Sequence, residues 1–229
     1  MDDVAGAERR RWVLVLGATL ATAALAVVLG EHPAEQFDEG KLGTWASCLL
    51  LIGVSAAAFD TWRARRDALG SGVGPALLWL LVAAGFLYLA CDDAFRFHEK
   101  LDRFLHRDVL HVEATALTAR ADDVIIGLYG LAGIGVLWWF RDELRRVPGL
   151  IAVLALGMAL MFAQVGLDLA NHDDVYAYLA PPGPQRRLLR QWLPVAEETT
   201  KLVAEAVFLL GMLRARRHAR ARWQDPLAP

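Results

Sequence analysis

The chain has 229 residues, of which 56% are hydrophobic and 22% charged, with a formal net charge of −2. A soluble domain carries less apolar sequence, and here it is bunched into long runs instead of helical stripes, so lipid is the expected solvent. With no basic groove-binding motif and its arginines set beside apolar runs, the chain is not expected to bind nucleic acid.

Six apolar runs follow one another, at 12–30, 42–59, 74–91, 124–140, 150–170 and 193–213. Each is near the ~20 residues that a helix needs to cross the hydrocarbon core, and none alternates as a barrel strand does. The expected fold is all-α: a polytopic transmembrane helix bundle of about six spans, a single integral membrane domain over residues 1–229. The first run follows Glu8-Arg9-Arg10-Arg11. Read instead as a cleavable leader, it removes one span and leaves the other orientations unchanged.

Arginine sets the orientation. The N-terminus, 61–73, 141–149 and the tail from Arg214 hold most of it, including Arg9, Arg10, Arg11, Arg63, Arg65, Arg66, Arg141, Arg145 and Arg146. This places both termini in the cytoplasm and the protein in the cytoplasmic (inner) membrane. The loops 31–41, 92–123 and 171–194 then face outward, with most of the acids and five of the six histidines, His32, His98, His106, His111 and His172. Cys48 and Cys91 lie in or at the edge of apolar runs and read as buried small residues, although a disulfide between them stays open.

After the third run, no proline or glycine interrupts Tyr88 to His106, so the helix is expected to continue past the membrane. Tyr88, Asp92, Phe95, Glu99, Asp102 and His106 then recur at spacings of three and four, on one face, with Asp93 and His98 beside it. A solvated amphipathic helix has the same pattern. The fourth run opens with Asp122-Asp123, which fits an N-terminal cap, and Tyr129 lies deeper on that face. The fifth run aligns Gln164, Asp168 and Asn171/His172. Asp168 sits inside apolar sequence, where a charge needs a partner, a metal or a water cavity; a hydrogen-bonded helix contact is the alternative.

The sixth run has the densest chemistry. Glu198, Lys201 and Glu205 fall within one narrow arc, and Glu205 lies roughly 16 Å in from Pro194. A buried salt bridge explains the arc structurally. A catalytic, ligand-binding or ion-pathway cluster explains it functionally. The residues that lipid should exclude therefore suggest a polar pocket sunk into the outer half of the bundle.

The chain has no H-E-x-x-H helix, no Gly-rich phosphate loop and no G-x-S-x-G elbow. It resembles a loose group of uncharacterised bacterial multi-pass proteins. In these an Asp-acid-x4-His-Glu element follows a middle span, here Asp92, Asp93, His98 and Glu99, and a Glu-Glu pair opens the last span, here Glu197 and Glu198. The resemblance implies a shared site and names no reaction.

Three functional readings follow. The first is a membrane-embedded enzyme acting on a lipid or isoprenoid-like substrate, with Asp92, Glu99, Asp168, Glu198, Lys201 and Glu205 as the catalytic set. Its chemistry is either acid–base or that of a divalent metal of unspecified identity, held by Asp92, His98, Glu99, Asp168, His172 and Glu198. The second is a cation- or proton-coupled transporter or channel, which needs polar residues along the cytoplasmic half, where only Thr19, Thr22 and Ser55 are candidates. The third is a metal-binding sensor or accessory subunit.

Overall fold

The computed structural model describes residues 2–38, 40–69, 74–104, 121–171 and 173–222, with the backbone alone at 2–5, 98–99, 102–103, 121–126, 173–174, 177 and 222. All regular structure among the described residues is helical. The elements in order are α1 (Asp2–Leu29), a 3-10 turn (Glu35–Phe37), α2 (Leu42–Leu69), α3 (Leu77–Phe95), α4 (Phe97–Phe104), α5 (Ala121–Trp139), α6 (Arg141–Arg145), α7 (Leu150–Ala170), α8 (Asp173–Leu179) and α9 (Pro184–Arg222).

Four segments are long and apolar enough to cross a membrane: Gly6–Leu29, Leu42–Leu69, Leu77–Phe95 and Leu150–Ala170. The chain is a helical membrane protein. The apolar stretch of α5, Gly127–Trp139, is shorter. Helix α9 has 39 residues, ~58 Å at 1.5 Å per residue, and its charged side chains keep it out of the apolar class.

Packing, not lipid, defines α9. It lies against α1, α2 and α7, and its buried residues include Leu202, Ala206, Phe208 and Met212. The pairs Ser47–Glu205 and Asp60–Arg216 run in the same order along α2 and α9, so these two helices are parallel. The pairs Gln164–Glu197 and Gly149–Arg214 run in opposite order, so α7 is antiparallel to α9. Helix α3 is likewise antiparallel to α2, as Ser55 reaches the carbonyl of Ala83 and Cys48 that of Ala90. Helices α7 and α9 touch at Gly157, where an added Cβ would stand 2.7 Å from the Phe208 ring. Small residues permit such close approach between helices in lipid.

Several expected boundaries move. The third helix begins at Leu77, not residue 74, and it does not run on to His106. Arg96 adopts the left-handed conformation (φ 55°) and caps α3 through its N–H to the Asp92 carbonyl. The break ends the single straight helix expected from Tyr88 to His106. No glycine announced it, because a non-glycine residue took the left-handed cap. The sixth helix starts at Pro184 instead of 193, and Pro194 lies inside it. A proline at the first helical position is preorganised for the turn, whereas the interior Pro194 removes one backbone hydrogen bond and crowds the carbonyl of Arg190. Cys48 and Cys91 are free thiols.

The end of the bundle that holds the last turns of α2 is tied by a buried ion pair. Arg65 Nε donates to Glu143 Oε1 at 2.6 Å and its NH2 to Oε2 at 3.1 Å, while Trp79 Nε1 donates to Oε1 at 3.4 Å. Arg146 closes on the same carboxylate from the solvent side at 3.1 Å. At this end Arg216 and Arg220 also pair with Asp60, and Arg214 with Glu8.

Candidate functional site

The opposite end gathers the other ionisable groups. Lys201 projects from α9 toward α3, where its Nζ donates to Asp93 Oδ1 at 2.7 Å and lies 3.7 Å from Glu198 Oε2. One turn deeper, Glu205 is 2% exposed and accepts the Ser47 hydroxyl on Oε1 at 2.7 Å. Cys48, next to Ser47 on α2, has its thiol 4.0 Å from Asp93 Oδ2. Helices α2, α3 and α9 thus meet through Ser47, Cys48, Asp93, Glu198, Lys201 and Glu205.

A second group joins α7 to α9. Glu197 is buried and accepts the side-chain amides of Gln164 and Asn171, one on each oxygen, both at 3.2 Å. The Tyr176 hydroxyl donates to Asn171 Oδ1. Asp168 is half-buried on α7 and lies within electrostatic reach of Glu197.

The sequence-predicted residues therefore divide. Glu198, Lys201 and Glu205 lie in the three-helix group. Asp92 is buried at the end of α3, but its neighbour Asp93 takes the lysine. Asp168 lies with the α7 group. His98 and Glu99 fall on α4, whose side chains at those positions lie outside the described residues, as does His172; so do His106, His111 and the side chains of Asp102, Asp122 and Asp123. Among the described residues no three His, Cys, Asp or Glu groups are arranged to hold a metal ion. Ser47 and Cys48 carried no signal in the sequence: a serine and a cysteine in an apolar run read as small packing residues.

Beside these groups lies a cavity of about 330 Å³ between α3, α5, α7 and α9. It is mostly apolar, where the sequence suggested a polar pocket, because Asp93, Glu198 and Lys201 pair with one another outside its wall. Leu81, Val82, Leu137, Leu154, Met158 and Met212 form its body. Its polar wall groups are Glu205 and the tyrosines Tyr88 and Tyr129, whose hydroxyls bond each other at 2.7 Å. Loose seating of α5 creates the space: among the described residues it contributes no buried side chain.

Chemically, the arrangement couples a lipid-like volume to a carboxyl group and a lysine-bridged pair of acids. A family match covers residues 12–215 and so takes in every residue of this arrangement. The chain belongs to the family described as a domain of unknown function (DUF8692). Within DUF8692 the description names no reaction. No curated protein and no solved structure matches the chain.

Proposed function

We propose that this DUF8692 member is a membrane-embedded enzyme that performs acid–base chemistry on a lipid or isoprenoid-like substrate. The observation that carries this reading is the double position of Glu205, which lines the apolar cavity and also belongs to the ionisable group around Lys201. A carboxyl in apolar surroundings is a suitable proton donor or acceptor for a substrate held against it. Lys201 offsets the charge of Asp93 and Glu198, so that acids can be packed beside the reacting carboxyl without mutual repulsion.

The reading places six spans in the inner membrane, with α5 and α9 as the fourth and sixth. Helices α3 and α7 both run opposite to α2 and α9, so the chain returns between α3 and α7, which supports α5 as a span, as does the collection of Arg65, Arg146, Arg214, Arg216 and Arg220 at one end. By the excess of arginine that end is cytoplasmic, and the N-terminal Glu8 lies there too. The site then faces outward.

The transport reading receives less support. It needs a polar path through the other half of the bundle, yet its candidate groups are engaged by backbone carbonyls. Thr19 and Thr22 bond the carbonyls of Val15 and Ala18 on their own helix, and Ser55 that of Ala83. The test is incubation of the purified protein in nanodiscs with a membrane lipid extract, with product detection by mass spectrometry. Wild type is expected to convert a lipid and Glu205→Gln to lose at least 100-fold in rate, the usual scale for a general acid or base. A chelator arm separates the metal form of the chemistry from the metal-free form. Cation flux in proteoliposomes that needs Glu205, with no lipid converted, would overturn the enzymatic reading.

A further inference from the structure

The cavity also constrains which lipid it would take. Its wall on α5 has room: a Cβ built on Gly127 or Gly133, both lining residues, meets no atom within 4 Å. Its polar groups lie toward one end. Met212 lines the other, two turns further along α9 from Glu205, about 10 Å at 1.5 Å per residue. A ligand with its head at Glu205 would lay a single apolar tail toward Met212.

The chemistry of the head follows from what Glu205 lacks. Oε1 is bonded by Ser47, whereas Oε2 is buried with no hydrogen-bond partner among the described residues. A buried acceptor without a donor is costly, and because Glu205 is a wall residue of the cavity, a donor for it would have to come from there. The nearest cation, Lys201, is already engaged by Asp93 and Glu198. A phosphate or carboxylate head would thus meet carboxylates with no uncommitted positive charge in the cavity wall as described. An ammonium head would have to shed its water among apolar side chains for one hydrogen bond.

We infer that the cavity binds a single-chain neutral lipid with a hydroxyl head, a long-chain or isoprenoid alcohol, whose hydroxyl donates to Glu205 Oε2. The inference rests on reading this site as the lipid-handling centre, but it concerns recognition, so it is tested by binding and not by turnover.

The experiment is photo-crosslinking of the full chain in nanodiscs with a diazirine-bearing dodecanol, followed by peptide mapping. The expected result is label on α3, α5, α7 or α9, displaced by plain dodecanol. The matching carboxylic acid, amine and phosphate ester should compete at least tenfold less well. Gly133→Leu fills the cavity from the peripheral helix and should reduce labelling at least tenfold. Glu205→Gln should lose the tenfold preference for alcohol over acid. The inference is overturned if the acid, amine or phosphate competes as well as the alcohol. Unchanged labelling in Gly133→Leu, or phospholipid recovered in place of the probe, also overturns it. Selective alcohol binding without lipid conversion would leave this inference standing and remove the enzymatic reading. Conversion of an anionic lipid would do the reverse.

Discussion

Lys201 and Asp93 give the most direct test of the site's electrostatics. The two side chains are each 19% exposed and 2.7 Å apart, with Glu198 3.7 Å from the same Nζ. Breaking a fully buried pair costs ~3–5 kcal/mol, and an exposed pair is worth ~0–1. At one-fifth exposure, Lys201→Met should destabilise by ~2–3 kcal/mol, because it leaves Asp93, Glu198 and Glu205 together without a counter-charge. Asp93→Asn should cost less, about 1 kcal/mol, since the lysine keeps Glu198. The double variant should fall short of the sum by ~1–2 kcal/mol, a coupling in the range seen for contacting groups. Reversible unfolding in mixed detergent micelles reads all four free energies. Additivity within ~0.5 kcal/mol would refute the claim that Lys201 compensates the acids.

Glu143→Ala removes the carboxylate that buried Arg65 shares with Arg146 and should cost ~3–5 kcal/mol in the same assay, with part of the loss recovered by adding Arg65→Met. Gly157→Leu drives a side chain into the Phe208 ring and should destabilise by ~1–3 kcal/mol, less when combined with Phe208→Ala. Glu35 is held below the ordinary carboxylate value of 4.5, first by the Glu31 backbone N–H and then by Lys41. A lowered folded-state value means its contribution is present above the unfolded value and lost as pH falls through the folded one. Amide protection at Glu31 should therefore drop on acidification below pH 4.5 in wild type and be low at neutral pH in Glu35→Gln.

The chain is most legible in sequence where lipid is the only constraint. The fifth run, 150–170, coincides with α7, since a helix facing lipid is bounded by the change from apolar to polar residues. The clustering of Glu198 and Lys201 was readable too, because an i, i+3 pair on one helix depends on nothing but the helical repeat. Choosing between Asp92 and Asp93 required the rotation of α3 about its axis. That rotation is set by contacts to α2, such as Ser55 on the Ala83 carbonyl, which leave no trace in the periodicity of α3. The Arg65–Glu143 pair was hidden for a similar reason: Glu143 reads as one acid in an arginine-rich loop, and only the short helix α6 turns it inward. Ser47 gained its role from a partner 158 positions away.

The place of α9 at the centre of the packing has a consequence for biogenesis. The helix against which α1, α2 and α7 close comes after all of them in the chain. At ~5–20 residues per second, Ser47 waits roughly 8–30 s of synthesis for Glu205. Until then α1, α2 and α7 must persist without it, and each is long and apolar enough to cross a membrane on its own. Helix α9 is under no such demand. It is made when its companions already stand, so its charged arc can be packed against protein as it forms, and the arrival of α9 closes the bundle.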